Sequence, residues 1–147
     1  MKKPFVFISY STKEADVANL VHSYLEGNGI NCWIASRNIE GGESFAEQIV
    51  VAIRACSAFV MIASPNSNVS PHVGNELSLA LGGKKKIIPF RVQDYQLSDA
   101  NEYYLQQAQW INACNDMNSA LKHLLKAVRS AIPAEDQRIL QNLPSIA

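Results

Sequence analysis

The sequence predicts an α/β fold, a five-stranded parallel sheet with helices on both faces. Three observations carry this expectation. Short apolar runs, nearly continuous in branched and aromatic residues, recur along the chain as strands buried on both faces require. The segments between them keep the three-to-four-residue apolar spacing of helices packed on a sheet. With 147 residues, 48% of them hydrophobic, the chain has a single-domain length, and a domain of that size buries about two-thirds of its unfolded surface.

Phe5-Val6-Phe7-Ile8 reads as the first strand, with Ser9-Tyr10 at its carboxyl end. Ser11 to Glu14 has the spacing of a capping box, so a helix is expected there, with Ala18, Val21 and Leu25, joined by Val17 and Tyr24, as its inner face until Gly27-Asn28-Gly29. Ile30 to Ile34, carrying Cys32 and Trp33, is the second strand, and Ala35 to Glu43 has no periodicity and reads as a loop. Ser44 to Glu47 is a second capping box before a helix packed through Ile49, Val50 and Ile53.

Ala58 to Ala63 is the third strand, closed by a polar loop from Ser64 to Val69. Ser70 is a good N-cap and Pro71 suits the first helical position, where a missing N–H costs nothing. At about 100° per residue, Val73, Leu77, Ala80 and Leu81 form the apolar stripe of that helix, and Glu76 falls at its edge beside His72. A glutamate near a helix start ordinarily reaches out to water. This one is aimed partly inward, near the loop end of a buried strand.

Ile87-Ile88-Pro89-Phe90 gives a fourth, shorter strand whose proline marks incomplete pairing. A short helix is expected within Asp99 to Gln107, with Tyr103, Tyr104 and Leu105 available for packing, then a brief edge strand at Gln109-Trp110-Ile111. Asn115 or Asp116 caps a last helix with Leu121, Leu124, Leu125 and Val128 as its stripe. The domain is therefore expected over residues 1–132, with residues 133–147 as a C-terminal tail or linker. The alternation implies a flavodoxin-like strand order, in which ligands bind outside the carboxyl ends of the strands at the switch point. Ser9-Tyr10, Trp33 with Arg37, the loop from Ser64 and Glu76 converge there.

Thirteen basic and thirteen acidic residues cancel, so no charge excess calls for nucleic acid or an anionic membrane. Lys84-Lys85-Lys86 reads as a solvated turn between a helix and a strand. Cys32, Cys56 and Cys114 are odd in number and widely spaced, which fits reduced thiols in a cytoplasmic protein. The apolar run after Met1-Lys2-Lys3 is too short for an export signal, and no stretch approaches a membrane span.

Several uses of such a crevice fail on residues. A phosphoacceptor receiver needs a carboxylate after the third strand, where Ser64 stands. Neither the Gly-x-Gly-x-x-Gly fingerprint nor the Gly-Lys-Ser/Thr of a P-loop is present. His22 and His123 sit in separate helices and His72 has no second ligand at metal spacing, so no metal site is expected.

Phe7-Ile8-Ser9-Tyr10-Ser11, Gly29 to Ile34 with Arg37-Asn38-Ile39 and Gly42, then Ser64, Ser70, Glu76-Leu77 and Ala80, and Ile87-Ile88-Pro89-Phe90 together resemble a bacterial Toll/interleukin-1 receptor (TIR) domain. The resemblance covers about Pro4 to Ile132 and implies, for many bacterial and plant members, cleavage of NAD between nicotinamide and ribose. NAD is then the substrate and no cofactor is implied. Glu76 matches the family's catalytic glutamate, Tyr10 the position lining the nicotinamide riboside site, and Ala35 to Glu43 the BB loop, with Arg37 and Trp33 as neighbours. His72 stands where the family often has tryptophan, and Asn38 where an aspartate follows the BB-loop arginine; His72 can still stack on a ring or donate a hydrogen bond. Ser9, Ser44 and Ser64 either contact phosphates or ribose or act only as caps and turn residues.

The resemblance implies release of nicotinamide with ADP-ribose, a cyclic isomer or a transferred ADP-ribose, in anti-phage defence signalling. The alternative is a non-catalytic interaction module that self-associates through the BB loop, and a nucleoside N-glycosidase is a third possibility. Glu76 favours the enzyme.

Overall fold

The computed structural model describes residues 4–34 and 43–133, apart from the side chains of 43–45. Its elements run β1 (Phe5–Ser9), a 3₁₀ turn (Thr12–Glu14), α1 (Ala15–Gly27), β2 (Asn31–Ile34), α2 (Glu43–Ala55), β3 (Ala58–Ala63), α3 (Pro65–Asn68), α4 (Pro71–Gly82), β4 (Ile87–Arg91), α5 (Asp99–Leu105), β5 (Ile111–Asn112) and α6 (Met117–Ala131). The five strands form one parallel sheet in the order β2-β1-β3-β4-β5. The chain moves outward from β1 to β2 and then crosses back to β3, so the switch point lies between the carboxyl ends of β1 and β3.

Strand alternation divides the core into two layers. Val6, Ile8, Val60, Ile62, Ile88 and Phe90 face α1 and α6. Phe7, Phe59, Met61 and Ala63 face α2 and α4, and α5 adds Leu105 to the same side. Helices thus cover both faces, as the apolar runs require. The central strand β3 is buried at every residue, whereas the edge strand β2 is half-buried throughout. Phe7 is fully buried between Trp33 and Phe59, its ring centroid 5.0 Å from the first and 5.4 Å from the second.

The incomplete pairing expected at Pro89 is present: Pro89 pairs with Met61 of β3, but β5 reaches only Phe90 and Arg91. Asp116 is the cap of α6, its carboxylate accepting from the Ser119 N–H at 3.1 Å, and the expected stripe of α6 is buried.

Several expectations need correction. The polar run after β3 is not a loop. Ser64 and Ser67 exchange hydroxyl-to-amide bonds in a capping box, Pro65 sits at the first helical position, and one turn of helix results. A run this short has no apolar period to announce a helix. Ser44 lies inside the first turn of α2 instead of capping it. The fifth strand begins at Ile111, two residues later than Gln109, and Tyr103 and Tyr104 are exposed, leaving Leu105 as the buried apolar residue of α5. Residues 133–147 fall almost wholly outside the described residues, as do residues 35–42 of the expected loop, whose last residue, Glu43, begins α2.

Truncating Phe7 to alanine removes the ring that both neighbours stack on. The expected cost is roughly 3–5 kcal/mol, read by urea denaturation; a loss below about 1 kcal/mol would mean that the two flanking rings close over the gap.

Candidate functional site

β1 ends at Ser9 beside the switch point, and its side chain alternates to the face that α4 covers. α4 begins where its sequence dictates. The Ser70 hydroxyl accepts from the Val73 N–H at 3.3 Å, Pro71 occupies the first turn, and Val73, Leu77 and Ala80 turn toward the sheet. Glu76 follows the same face and is carried inward, 3% exposed. There the fully buried Ser9 Oγ donates to Glu76 Oε1 at 2.7 Å. Burying a carboxylate is costly unless hydrogen-bond donors replace water, and the serine at the strand end is one such donor.

A second carboxyl lies at the same edge. The capping box expected at Ser11 does not form. The Ser11 hydroxyl accepts from the Lys13 N–H, the Ser11 carbonyl accepts from the Glu14 N–H, and the Glu14 side chain leaves the helix start altogether. It crosses to the end of β3, where one oxygen accepts from Ser64 Oγ and the other from Asn66 Nδ2 at 3.1 Å. Glu14 is 9% exposed. Burial pushes its carboxyl pKa above the ordinary glutamate range, opposed by the Asn66 hydrogen bond and the nearby Lys13 charge.

The two serine–carboxylate pairs run in opposite directions. Glu76, which follows β3, reaches back to the end of β1; Glu14, which follows β1, reaches across to the residue that ends β3. Sequence reading missed Glu14 because a local partner at capping-box spacing accounted for it. The overlooked signal was a Ser-x-Asn at the end of β3 with no acidic partner of its own.

The other expected residues are distributed as follows. Ser64 is buried, accepts from the Ser67 N–H and donates to Glu14, so its hydroxyl serves the fold. Tyr10 is buried with α1 and α6, in the cluster opposite the face that carries Ser9 and Glu76. Trp33 stacks on Phe7 and borders a cavity of about 580 Å³ with Phe5, Val51 and Ala52, along the β2 edge. His72 is exposed in the first turn of α4, one turn before Glu76. Arg37, Asn38 and the rest of residues 35–42 lie outside the described residues, as does the Ser44 side chain. The structure therefore brings Ser9 to Glu76, pairs Ser64 with Glu14 at the same edge of the sheet, and sets Tyr10 in the core cluster on the other face.

Arg91, at the end of β4, bonds Asp94 at 2.7 Å and the Tyr95 carbonyl, and its guanidinium lies 5.0 Å and 5.6 Å from the Tyr95 and Trp110 ring centroids. It clamps the segment after β4. The thiols of Cys32 and Cys56 are poor nucleophiles. Burial with the Glu26 charge pushes Cys32 up to about 12, and burial raises Cys56. Among the described residues there is no group of three or more His, Cys, Asp and Glu able to hold a metal, and no helix is long and apolar enough to cross a membrane.

A family model described as TIR domain matches residues 6–125. No curated protein matches the chain in sequence. Among solved structures, the TIR domain of the Toll-related receptor TRR-2 from Hydra magnipapillata is 24% identical, with a TM-score of 0.70 over 84% of this chain and 97% of that one. The Clostridium botulinum CMP N-glycosidase BcmB is 21% identical, with a TM-score of 0.60 over 81% of this chain and 96% of that one. The TIR domain heterodimer of RPS4 and RRS1 is 14% identical, with a TM-score of 0.66 over 88% of this chain and 98% of that one. At these identities the likeness is one of fold.

The raised pKa of Glu14 has a stability consequence with a definite sign. A carboxyl whose folded pKa exceeds its unfolded value favours the fold below the unfolded pKa, and that contribution is lost as pH rises through the folded pKa. Glu14→Gln removes the titration, so its melting temperature relative to wild type should rise from acidic to neutral pH. A difference constant across that range would show that Glu14 does not titrate abnormally.

Proposed function

The chain belongs to the TIR domain family, and on that premise we propose that it cleaves NAD at the bond between nicotinamide and ribose, with Glu76 as the catalytic carboxylate. One observation carries the proposal. A glutamate that a helix-surface position would leave in water is buried at the carboxyl ends of β1 and β3 and held by Ser9.

A single carboxylate suits this reaction. Ordinary glycoside cleavage uses two, because an alcohol leaving group needs a proton while the oxocarbenium ion needs stabilisation. In NAD the nicotinamide nitrogen is already cationic. When the C1′–N bond breaks, its electron pair neutralises the pyridinium ring, and nicotinamide departs without a proton. Positive charge then develops on the ribose ring. Glu76 would face that charge and hold the ribose hydroxyls, in a setting of low polarity where a fixed charge acts strongly. Ser9 fixes the carboxylate's orientation. Water adding at C1′ and losing a proton gives ADP-ribose; attack by a group of the ADP-ribose itself gives a cyclic isomer. His72, exposed beside the site, would stack on or donate to the bound substrate, and Arg37, from the segment between β2 and α2, and Ser44, from the first turn of α2, would contact it.

The family match supports the chemistry because many bacterial members cleave NAD, and the glycosidase BcmB has a similar fold. The RPS4–RRS1 heterodimer supports association between domains, and we extend that to self-association of this chain through residues 35–43. A cytoplasmic role in anti-phage defence follows from the same family reading. A scaffold without catalysis is the competing function, and an N-glycosidase acting on nucleosides is the competing enzyme.

With purified protein at high concentration, nicotinamide release from NAD is expected, and Glu76→Gln should lower kcat at least about a hundredfold. Nicotinamide release that survives in Glu76→Gln would remove this residue from the chemistry, and turnover of a nucleoside panel in preference to NAD would name the other enzyme. If assembly completes the site, activity per molecule climbs with protein concentration; a flat specific activity over a wide range would contradict that part.

A further inference from the structure

The proposed mechanism uses one buried carboxyl at this edge of the sheet and leaves the other, Glu14, without a role. Its surroundings concern α3. Ser64 is the cap of α3 and Asn66 lies within it, so both donors to Glu14 belong to that turn. At the other end of α3, Asn68 Oδ1 accepts from the Ser98 N–H at 2.9 Å and from Asn101 Nδ2 at 3.1 Å. A four-residue helix has no stability of its own, since nucleation costs more than one turn returns. Its place is set by these contacts from outside.

α3 passes straight into α4. The Ser70 N–H donates to the Ser67 carbonyl at 3.2 Å, and the Ser70 hydroxyl caps α4. Only Val69 and the cap residue Ser70 separate the two helices, so a shift of α3 is passed to the first turn of α4 and, within two turns, to Glu76. The Ser9–Glu76 bond fixes that carboxylate from the β1 side, and the Glu14 contacts fix its helix from the β3 side.

We infer that Glu14 is a positioning residue for the reaction: by holding α3 through Ser64 and Asn66, it sets where α4 presents Glu76 to the substrate. The inference rests on the reading of Glu76 as the catalytic carboxylate. Displacements of about 1 Å at a reacting group can cost about a hundredfold in rate, so a loosened α3 is felt in kcat more than in KM.

The test uses the full chain with Glu14→Ala and Glu14→Gln, read by amide hydrogen exchange over residues 64–80 and by steady-state NAD cleavage. Glu14→Ala should speed exchange in α3 and the first turn of α4 about tenfold or more, and lower kcat about tenfold or more with KM nearly unchanged. Glu14→Gln, which keeps an acceptor for the Ser64 hydroxyl, should recover most of both. Wild-type exchange or wild-type kcat in Glu14→Ala overturns the inference, as does a failure of Glu14→Gln to recover. Should the wild type release no nicotinamide, the NAD reading falls on its own, and exchange together with the 13C carboxyl resonance of Glu76 decides: a resonance unmoved by Glu14→Ala overturns the positioning role. Should Glu14→Ala not fold, Asn66→Ala removes one of the same contacts, and wild-type behaviour there overturns it.

Discussion

The arrangement depends on burying two carboxyl groups at the point where strand order reverses. Parallel strands covered on both faces leave their carboxyl ends as the place where polar groups gather. Here the ends of β1 and β3 each supply a serine, and each serine meets the carboxylate that follows the other strand: Ser9 with Glu76, Ser64 with Glu14. The exchange ties two crossovers together across the switch point. It also accounts for the low exposure of both glutamates, which neither helix surface would produce alone.

The two carboxyl groups are held by different partners. Glu14 is answered by a serine, an asparagine and the nearby Lys13, and burial still raises its pKa, so it acts within the fold. Glu76 is held by Ser9 on a helix that begins with a serine cap and a proline, the kind of start that fixes the phase of the turns behind it. A carboxylate fixed in this way is suited to stabilising positive charge on a ribose ring, and the leaving group of NAD removes the need for an acid partner. The ring stack of Trp33, Phe7 and Phe59 lies on the same face of the sheet and gives the serine end of β1 a rigid base.

Much of this was legible in the chain itself. Continuous apolar runs locate β1, β3 and β4, and the helical stripe of α4 places Glu76 at its inner edge. What escaped was long-range. Glu14 had a plausible local partner in Ser11, and only the fold brings the end of β3 within reach of it. Ser64 to Asn68 became a helix through reciprocal serine caps that carry no hydrophobic period. Ser9 and Tyr10 are neighbours in sequence, yet strand alternation sends them to opposite faces, a separation that the two-residue period would have foretold. The segment 35–42, with Arg37, lies outside the described residues, and its expected part in the site rests on the family resemblance.

The most direct measurement of the central claim is a crystal structure of Glu76→Gln with NAD bound. The account predicts the nicotinamide riboside at the carboxyl ends of β1 and β3, with a ribose hydroxyl or C1′ against the side chain at position 76 and the Ser9 hydroxyl still facing that side chain. NAD seated elsewhere, with position 76 out of reach of the ribose, would contradict it.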